Sequence, residues 1–235
     1  MVKLPEKFLE WNYFARRKIV QEILEKRIKD PTKFFLEFTR HNPALCTAAE
    51  ENGRIVVNGK IVGIGYIPKK EYLKNYIEIF EKHIENSDKI FEKIKNNNIK
   101  LKELYDQHAK RGLKLLLEYM YLKREEALEK INFEKLATIE LAKRIPYSSK
   151  HTWNLIQKNR YVCLLFFQPP AISFEIKGYA TIYENGDYHK LVNLIHDCYH
   201  YTPPEKRKNR PVYIINVLEV YDNSATKSGF GTKIA

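Results

Sequence analysis

Ile172-Ser173-Phe174-Glu175-Ile176-Lys177-Gly178-Tyr179-Ala180-Thr181-Ile182-Tyr183 is the stretch that decides the fold. Apolar and polar side chains alternate along it with a period of two, the pattern of a strand with one face toward a core. The run Tyr161-Val162-Cys163-Leu164-Leu165-Phe166-Phe167 precedes it across a Pro169-Pro170 break and reads as a second strand. Downstream, Glu184-Asn185-Gly186-Asp187 opens a helix over Tyr188–Tyr199, and Arg210–Tyr221 reads as a last strand. Strands separated by short helices, with a Gly-x-Ala inside one of them, indicate a small barrel with helices at its rim.

Working upstream, Leu136–Ala142 is strand-like, and a turn over Ile145–Ser149 leads into a short helix, Lys150–Lys158. Ala44–Ala49 and Arg54–Val57 flank Asn52-Gly53, the strongest short hairpin signal. A second Asn-Gly, Asn58-Gly59, interrupts the chain beyond Val57, so Lys60–Ile67 is expected as a third strand or a bulged continuation. The glycines at 63 and 65 would let another backbone or a ligand come close.

Two segments fall outside the barrel pattern. Residues 6–41 carry helical spacing, with Phe8, Trp11, Phe14 and Ala15 on one face and a break at Asp30-Pro31. Residues 68–132 read as a large insertion of two or three amphipathic helices, with breaks expected at Asn96–Asn98 and Gly112. Its apolar stripes must cover something: a lid that shapes a ligand site, or a pad that packs on the core or on a partner subunit. The tail from Asn223, rich in Ser, Thr and Gly, is expected to be loose. There is no internal repeat, and the whole is read as one α+β domain, 1–235, built on an antiparallel barrel.

The chain has 235 residues and a formal net charge of +12. Such a balance favours an anionic partner: nucleic acid, a membrane surface or a phosphorylated cofactor. The charge is not concentrated in the insertion, where residues 69–130 hold 15 Lys/Arg against 12 Asp/Glu. The loop Lys206-Arg207-Lys208-Asn209-Arg210 is basic but lacks interleaved aromatics, so it reads as a solvated loop rather than a nucleic-acid patch. No apolar run reaches membrane-spanning length and no secretory leader is evident, so a soluble, cytoplasmic protein is expected. Cys46, Cys163 and Cys198 are an odd, sparse set, read as reduced thiols.

Ser148-Ser149-Lys150-His151-Thr152 at a helix start suits a phosphate cradle. Free N–H groups, the positive end of the helix dipole, hydroxyls and an ammonium would converge there on one anion. The alternative is that Ser148 or Ser149 merely caps the helix. His196 and His200 stand at i and i+4 on a helix, but no third ligand accompanies them at a known spacing, so no metal site is assigned. No acid or base offers itself as catalytic.

In order, four pieces of this chain resemble the flavin-binding split barrels, the pyridoxamine-phosphate-oxidase-like superfamily. Ala44–Arg54 is similar to the family's opening strand and hairpin, and Gly59-Lys60-Ile61-Val62 to the basic residue and strand that face the flavin phosphate. Ser148–Leu155 with Lys158–Leu164 is similar to its helix start and following strand, and Phe174–Ala180 to its "V-x-G-x-A" strand. Ile55 stands where the family usually has proline, and nothing after Tyr221 matches the Arg-x-His signature of true pyridoxamine phosphate oxidases. The resemblance implies a split barrel that binds FMN between the subunits of a homodimer, with Lys60, Ser148, Ser149, Lys150 and Thr152 at the cofactor. It implies a flavin-dependent oxidoreductase acting on an unidentified small molecule. A non-catalytic flavin or haem module and a basic nucleic-acid-binding protein are the competing expectations.

Overall fold

The computed structural model describes residues 1–28 and 30–235. Lys29, inside the predicted helical span 6–41, and the Lys33 side chain lie outside the described residues. Strands β1 (Ala44–Glu51) and β2 (Arg54–Ile61) form the expected hairpin, with Asn52 and Gly53 at φ 51° and 74°. Both turn positions are left-handed, the conformation that matches the twist of two adjoining strands. Asn58-Gly59 does not interrupt β2, however. Asn58 sits opposite Thr47 and Gly59 opposite Cys46 in an unbroken ladder, so pairing with β1 overrides the local turn preference.

Nor is there a third strand beyond Ile61. The Val62 and Ile64 N–H groups donate to the Pro43 and His41 carbonyls at 3.0 and 2.9 Å, continuing β2 in extended form. Gly65 then exchanges two 2.9 Å hydrogen bonds with Ala137 of β3 (Lys135–Ile139). This contact has architectural weight, because β2 and β3 are the two ends of the sheet. The order is β2-β1-β4-β5-β6-β3, all antiparallel, with β4 Tyr161–Gln168, β5 Ile172–Tyr183 and β6 Val212–Asp222. Joining the ends through Gly65 and Ala137 closes a six-stranded barrel, which removes its edges. Opposite Lys177 and Gly178 of β5, β6 carries one extra residue, Leu218, a bulge that bends β6, and a Cβ on Gly178 would stand 2.5 Å from Ile215 and 2.9 Å from the Asn216 carbonyl.

Leu45, Leu164, Phe166, Phe174, Ile176, Ala180 and Ile215 fill the interior. Helix α1 (Glu6–Leu9) and the π-helical turn Glu10–Phe14 bring Phe8 and Trp11 onto it, Phe8 edge-on to Phe166 at 5.1 Å. Helices α2 (Ala15–Leu24) and α3 (Pro31–Thr39) complete the N-terminal layer, with Pro31 at a first helical position, where its missing N–H costs nothing.

The insertion leaves and rejoins the barrel at a bridge between Pro68 and Ile131. It contains α4 (Leu73–Ile94), α5 (Asn98–Leu115), a π-helical segment Leu116–Met120 and α6 (Arg124–Lys130). The expected break at Asn96–Asn98 is present, and the Asn97 side chain caps α5 by accepting the Lys100 N–H at 3.1 Å. The expected break at Gly112 is not. Gly112 lies inside α5 against α8 (Gly186–Tyr199), where a Cβ would stand 1.7 Å from the Cys198 carbonyl oxygen. Phe80, Leu113, Leu116 and Met120 join the same apolar core as the barrel.

Two further expectations are corrected. The strand predicted over 136–142 stops at Ile139, because Glu140 turns inward and a 3₁₀ turn, Leu141–Arg144, follows. The tail is not loose: β7 (Thr232–Lys233) pairs with β6, and the Asn223 and Ala225 N–H groups donate to the Ser173 and Ala171 carbonyls, both at 2.9 Å. Lys7 also closes an ion pair on the buried Asp222.

Candidate functional site

Helix α7 (His151–Lys158) lies against β1 and β2, and its first turn is the region singled out by sequence. Lys150 occupies the N-cap in a left-handed conformation, φ 55° and ψ 33°, and no side chain caps the helix. Ser148 is therefore not the helix cap. Its hydroxyl accepts the Lys150 N–H at 3.3 Å, while Ser149 is exposed and contributes only its carbonyl, to Asn154. Leaving first-turn N–H groups without a side-chain acceptor is what an anion site at a helix start requires. The Lys150 ammonium is held at 3.2 Å by the Ser148 carbonyl, at the protein surface.

Thr152 and Lys60 sit deeper. The Thr152 hydroxyl, buried, accepts a 2.8 Å hydrogen bond from the Asn58 amide on β2. Lys60, two residues on and on the same face of β2, donates to Glu140 at 2.6 Å. Glu140 is fully buried and also accepts from the Tyr213 hydroxyl and the Ala142 N–H, each at 3.0 Å. Burial, with that carboxylate beside it, pushes the Tyr213 phenol far above its usual range. Lys60 is thus the counter-ion of an interior carboxylate before any ligand arrives. The structure brings Thr152 and Lys60 together through β2, and sets Ser148, Ser149 and Lys150 on the surface above them. Arg54 stands at the hairpin tip opposite Glu51. Trp153 is core, stacked with Tyr213 at 6.4 Å under the Lys143 ammonium.

Sequence reasoning overlooks Glu140 and Asn58. The first has a signal, a lone carboxylate inside the apolar run 136–142. Asn58 reads only as half of a turn.

Elsewhere, the basic loop is not simply solvated. Arg207 grips Asp88 through two 2.7 Å bonds, and Arg210 grips Asp197 in the same way with both side chains buried. Burial alone would raise the Asp197 carboxyl, but the Arg210 fork and His196 outweigh it and hold it at about 2. His83 and His108 stack at 4.2 Å beneath the end of α8, meeting the Cys198 and Asp197 carbonyls at 3.2 and 2.6 Å. Burial lowers both imidazoles, His108 to about 4. His196 faces Asp197 at 3.0 Å, and its ring lies 5.3 Å from that of His200. The three cysteines are free; burial, Glu175 and the neighbouring Cys46 push the Cys163 thiol up to about 12. Among the described residues, no helix is long and apolar enough to cross a membrane.

No protein-family model and no curated protein matches the chain. Among solved structures, it is similar to a Listeria innocua protein named for pyridoxamine 5'-phosphate oxidase, at 11% identity and a TM-score of 0.39, over 88% of this chain and 96% of that one. It is similar to an F420 reductase at 10% and 0.36, over 77% of this chain and 90% of that one. It is also similar to HupZ of Group A Streptococcus at 11% and 0.39, over 88% of this chain and the whole of that one. Likeness at this level transfers no chemistry, and the α+β barrel, with its N-terminal helices and helical insertion, rests on its own hydrogen bonds.

Proposed function

We propose that this chain is an FMN-binding protein of the flavin split-barrel type, working as a flavin-dependent oxidoreductase distinct from the true pyridoxamine phosphate oxidases. The observation that carries the reading is the uncapped first turn of α7, preceded by Ser148, Ser149 and Lys150 and seated on a closed antiparallel barrel. The phosphate would take hydrogen bonds from the first-turn N–H groups and the two hydroxyls, and charge from Lys150. Thr152 and Lys60 have a supporting part in this reading. Thr152 pins the helix start to Asn58, and Lys60 neutralises Glu140 so that no bare carboxylate lies beneath the anion. When bound, FMN supplies the hydride chemistry.

A second copy of the chain is proposed as the partner, with the cofactor near the contact. The outer face of β2-β1-β4 supports this. Register places Ile61 beside Ala44 and Leu165, Val57 beside Ala48, and Cys46 beside Cys163, a continuous apolar surface. Val57 and Ile61 are 74% and 69% exposed on it.

The reading is tested by titrating FMN and riboflavin into the wild type, Lys150→Ala and Lys150→Gly, following flavin fluorescence. A charge-assisted phosphate contact contributes about 1.5–3 kcal/mol, roughly 10- to 100-fold in affinity. Both variants should lose that much for FMN and little for riboflavin. Glycine, which accepts the left-handed conformation freely, should leave stability unharmed. Equal losses for the two ligands would remove Lys150 from the phosphate, and a wild type that binds neither would end the flavin reading.

A further inference from the structure

Seven buried side-chain nitrogen or oxygen atoms lack a hydrogen-bond partner among the described residues, and five of them belong to Arg16, Arg40 and His41. Such atoms are rare in folded proteins, where roughly nine in ten or more buried polar groups are paired, so five in one place call for a ligand. His41 is 4% exposed, and neither ring nitrogen makes a well-formed hydrogen bond, the Asn12 backbone being the polar group nearest the ring. Arg16 lays its guanidinium over the Phe38 ring at 4.5 Å and leaves Nε and Nη1 unused, with no carboxylate within ion-pair distance among the described residues. Arg40 spends Nη1 on the Trp11 carbonyl and Nη2 on Glu37, at 2.9 and 2.6 Å, and leaves Nε free. The three residues meet where α2 and the end of α3 come together. The charges of Arg16 and Arg40 reach His41 and, after burial, are the main influences holding its imidazole neutral.

We propose that Arg16, Arg40 and His41 form a binding site for a compact tetrahedral oxyanion of the phosphate or sulfate kind, separate from the Ser148–Lys150 cradle. The unused groups are nitrogens, predominantly N–H donors, and Arg16 brings an uncompensated positive charge. Water could accept from two donors at a time but would cancel no charge. A carboxylate has two coplanar oxygens, suited to one guanidinium fork, whereas these donors come from three side chains. An anion with three or four oxygens meets all three and neutralises Arg16. A cavity of about 530 Å3 between α2 and α3, walled by Ala15, Ile19, Glu22, Phe34, Glu37 and Arg40, borders the cluster at Arg40.

The test is calorimetric titration of inorganic phosphate at constant ionic strength into the wild type, Arg16→Gln and Lys150→Ala, with formate as the carboxylate control. A phosphate site weakened at least tenfold in Arg16→Gln should survive in Lys150→Ala, where only phosphate at the α7 cradle is weakened, and formate should bind the Arg16 site far more weakly than phosphate. FMN affinity should be unchanged in Arg16→Gln, which separates this site from the flavin cradle. If Arg16→Gln does not fold, Arg16→Lys keeps the charge but loses Nε and Nη1 and should show the same loss. In the unmutated protein, the His41 ring-nitrogen resonances should move with phosphate and not with chloride. Absence of phosphate binding, binding lost through Lys150 but not Arg16, equal binding of formate, or loss of FMN with Arg16 would each overturn the proposal.

Discussion

Lys60 shows how a side chain can be read as a cation from the sequence while its partner inside the fold goes unread. Its place after Gly59 on an apolar strand sets it before a phosphate, yet its ammonium lies 2.6 Å from Glu140, a carboxylate with no exposure at all. Removing one member of such a pair strands the other, which costs about 3 kcal/mol, while removing both charges costs far less. Lys60→Met should therefore lower the urea midpoint by roughly that amount, and Lys60→Met/Glu140→Gln should recover most of it. FMN affinity measured in the double variant decides the role of Lys60. If Lys60 is only a counter-ion, affinity stays near the wild type; a tenfold loss would place the ammonium on the phosphate after all. The pair is out of reach of the sequence because Lys60 and Glu140 are 80 residues apart and meet only when the barrel closes.

At the level of elements, the barrel strands and the break before α5 are legible because each is written locally, in alternation, turn residues or a cap. The illegible features depend on contacts between distant segments. Gly112 looks like a helix break because glycine weakens helices, yet α8 needs its bare backbone. The insertion's stripes are plain, but the surface they cover becomes clear only when α4 and α5 meet α8. That seam is held by buried groups whose protonation matters. His108 titrates near 4 instead of its ordinary 6.5, so between these values the unfolded chain takes up a proton that the folded protein refuses. Stability is therefore lost as pH falls from about 6.5 to 4. Asp197 is held at about 2 against an ordinary 3.8, so its contribution is complete above 3.8 and is lost as pH falls from there toward 2. The gap at Asp197 corresponds to about 2 kcal/mol and the wider one at His108 to about 3 kcal/mol. Urea midpoints at pH 7, 5 and 3 should fall in two stages. His108→Gln should flatten the first and Asp197→Asn the second. A single transition unaffected by either variant would mean that the seam opens without these groups.

For the whole molecule, the sequence points to a small antiparallel barrel but not to how it shuts. Closure needs Gly65 and Ala137, one in an extended continuation after a misleading Asn-Gly and the other in a short strand 72 residues later, and local patterns do not record such pairings. A closed barrel buries its inner faces, so apolar residues left on the outside need a separate explanation. On β2-β1-β4 they form one surface carrying Ile55, Val57, Ile61, Tyr161, Leu165 and Phe167. A chain with a net charge of +12 repels its own copies, so self-association would need a region free of that charge, and this face supplies one. Light scattering at micromolar concentration should give twice the chain mass. Val57→Lys/Ile61→Lys adds charge at two well-exposed positions, so it should fold as the wild type does but run as a monomer. If the flavin lies between subunits, the monomeric variant should also lose at least tenfold in FMN affinity, because half of the site is gone. A wild type that is already monomeric would remove the dimer, whereas a monomeric variant with full affinity would keep the dimer but confine the cofactor to one chain.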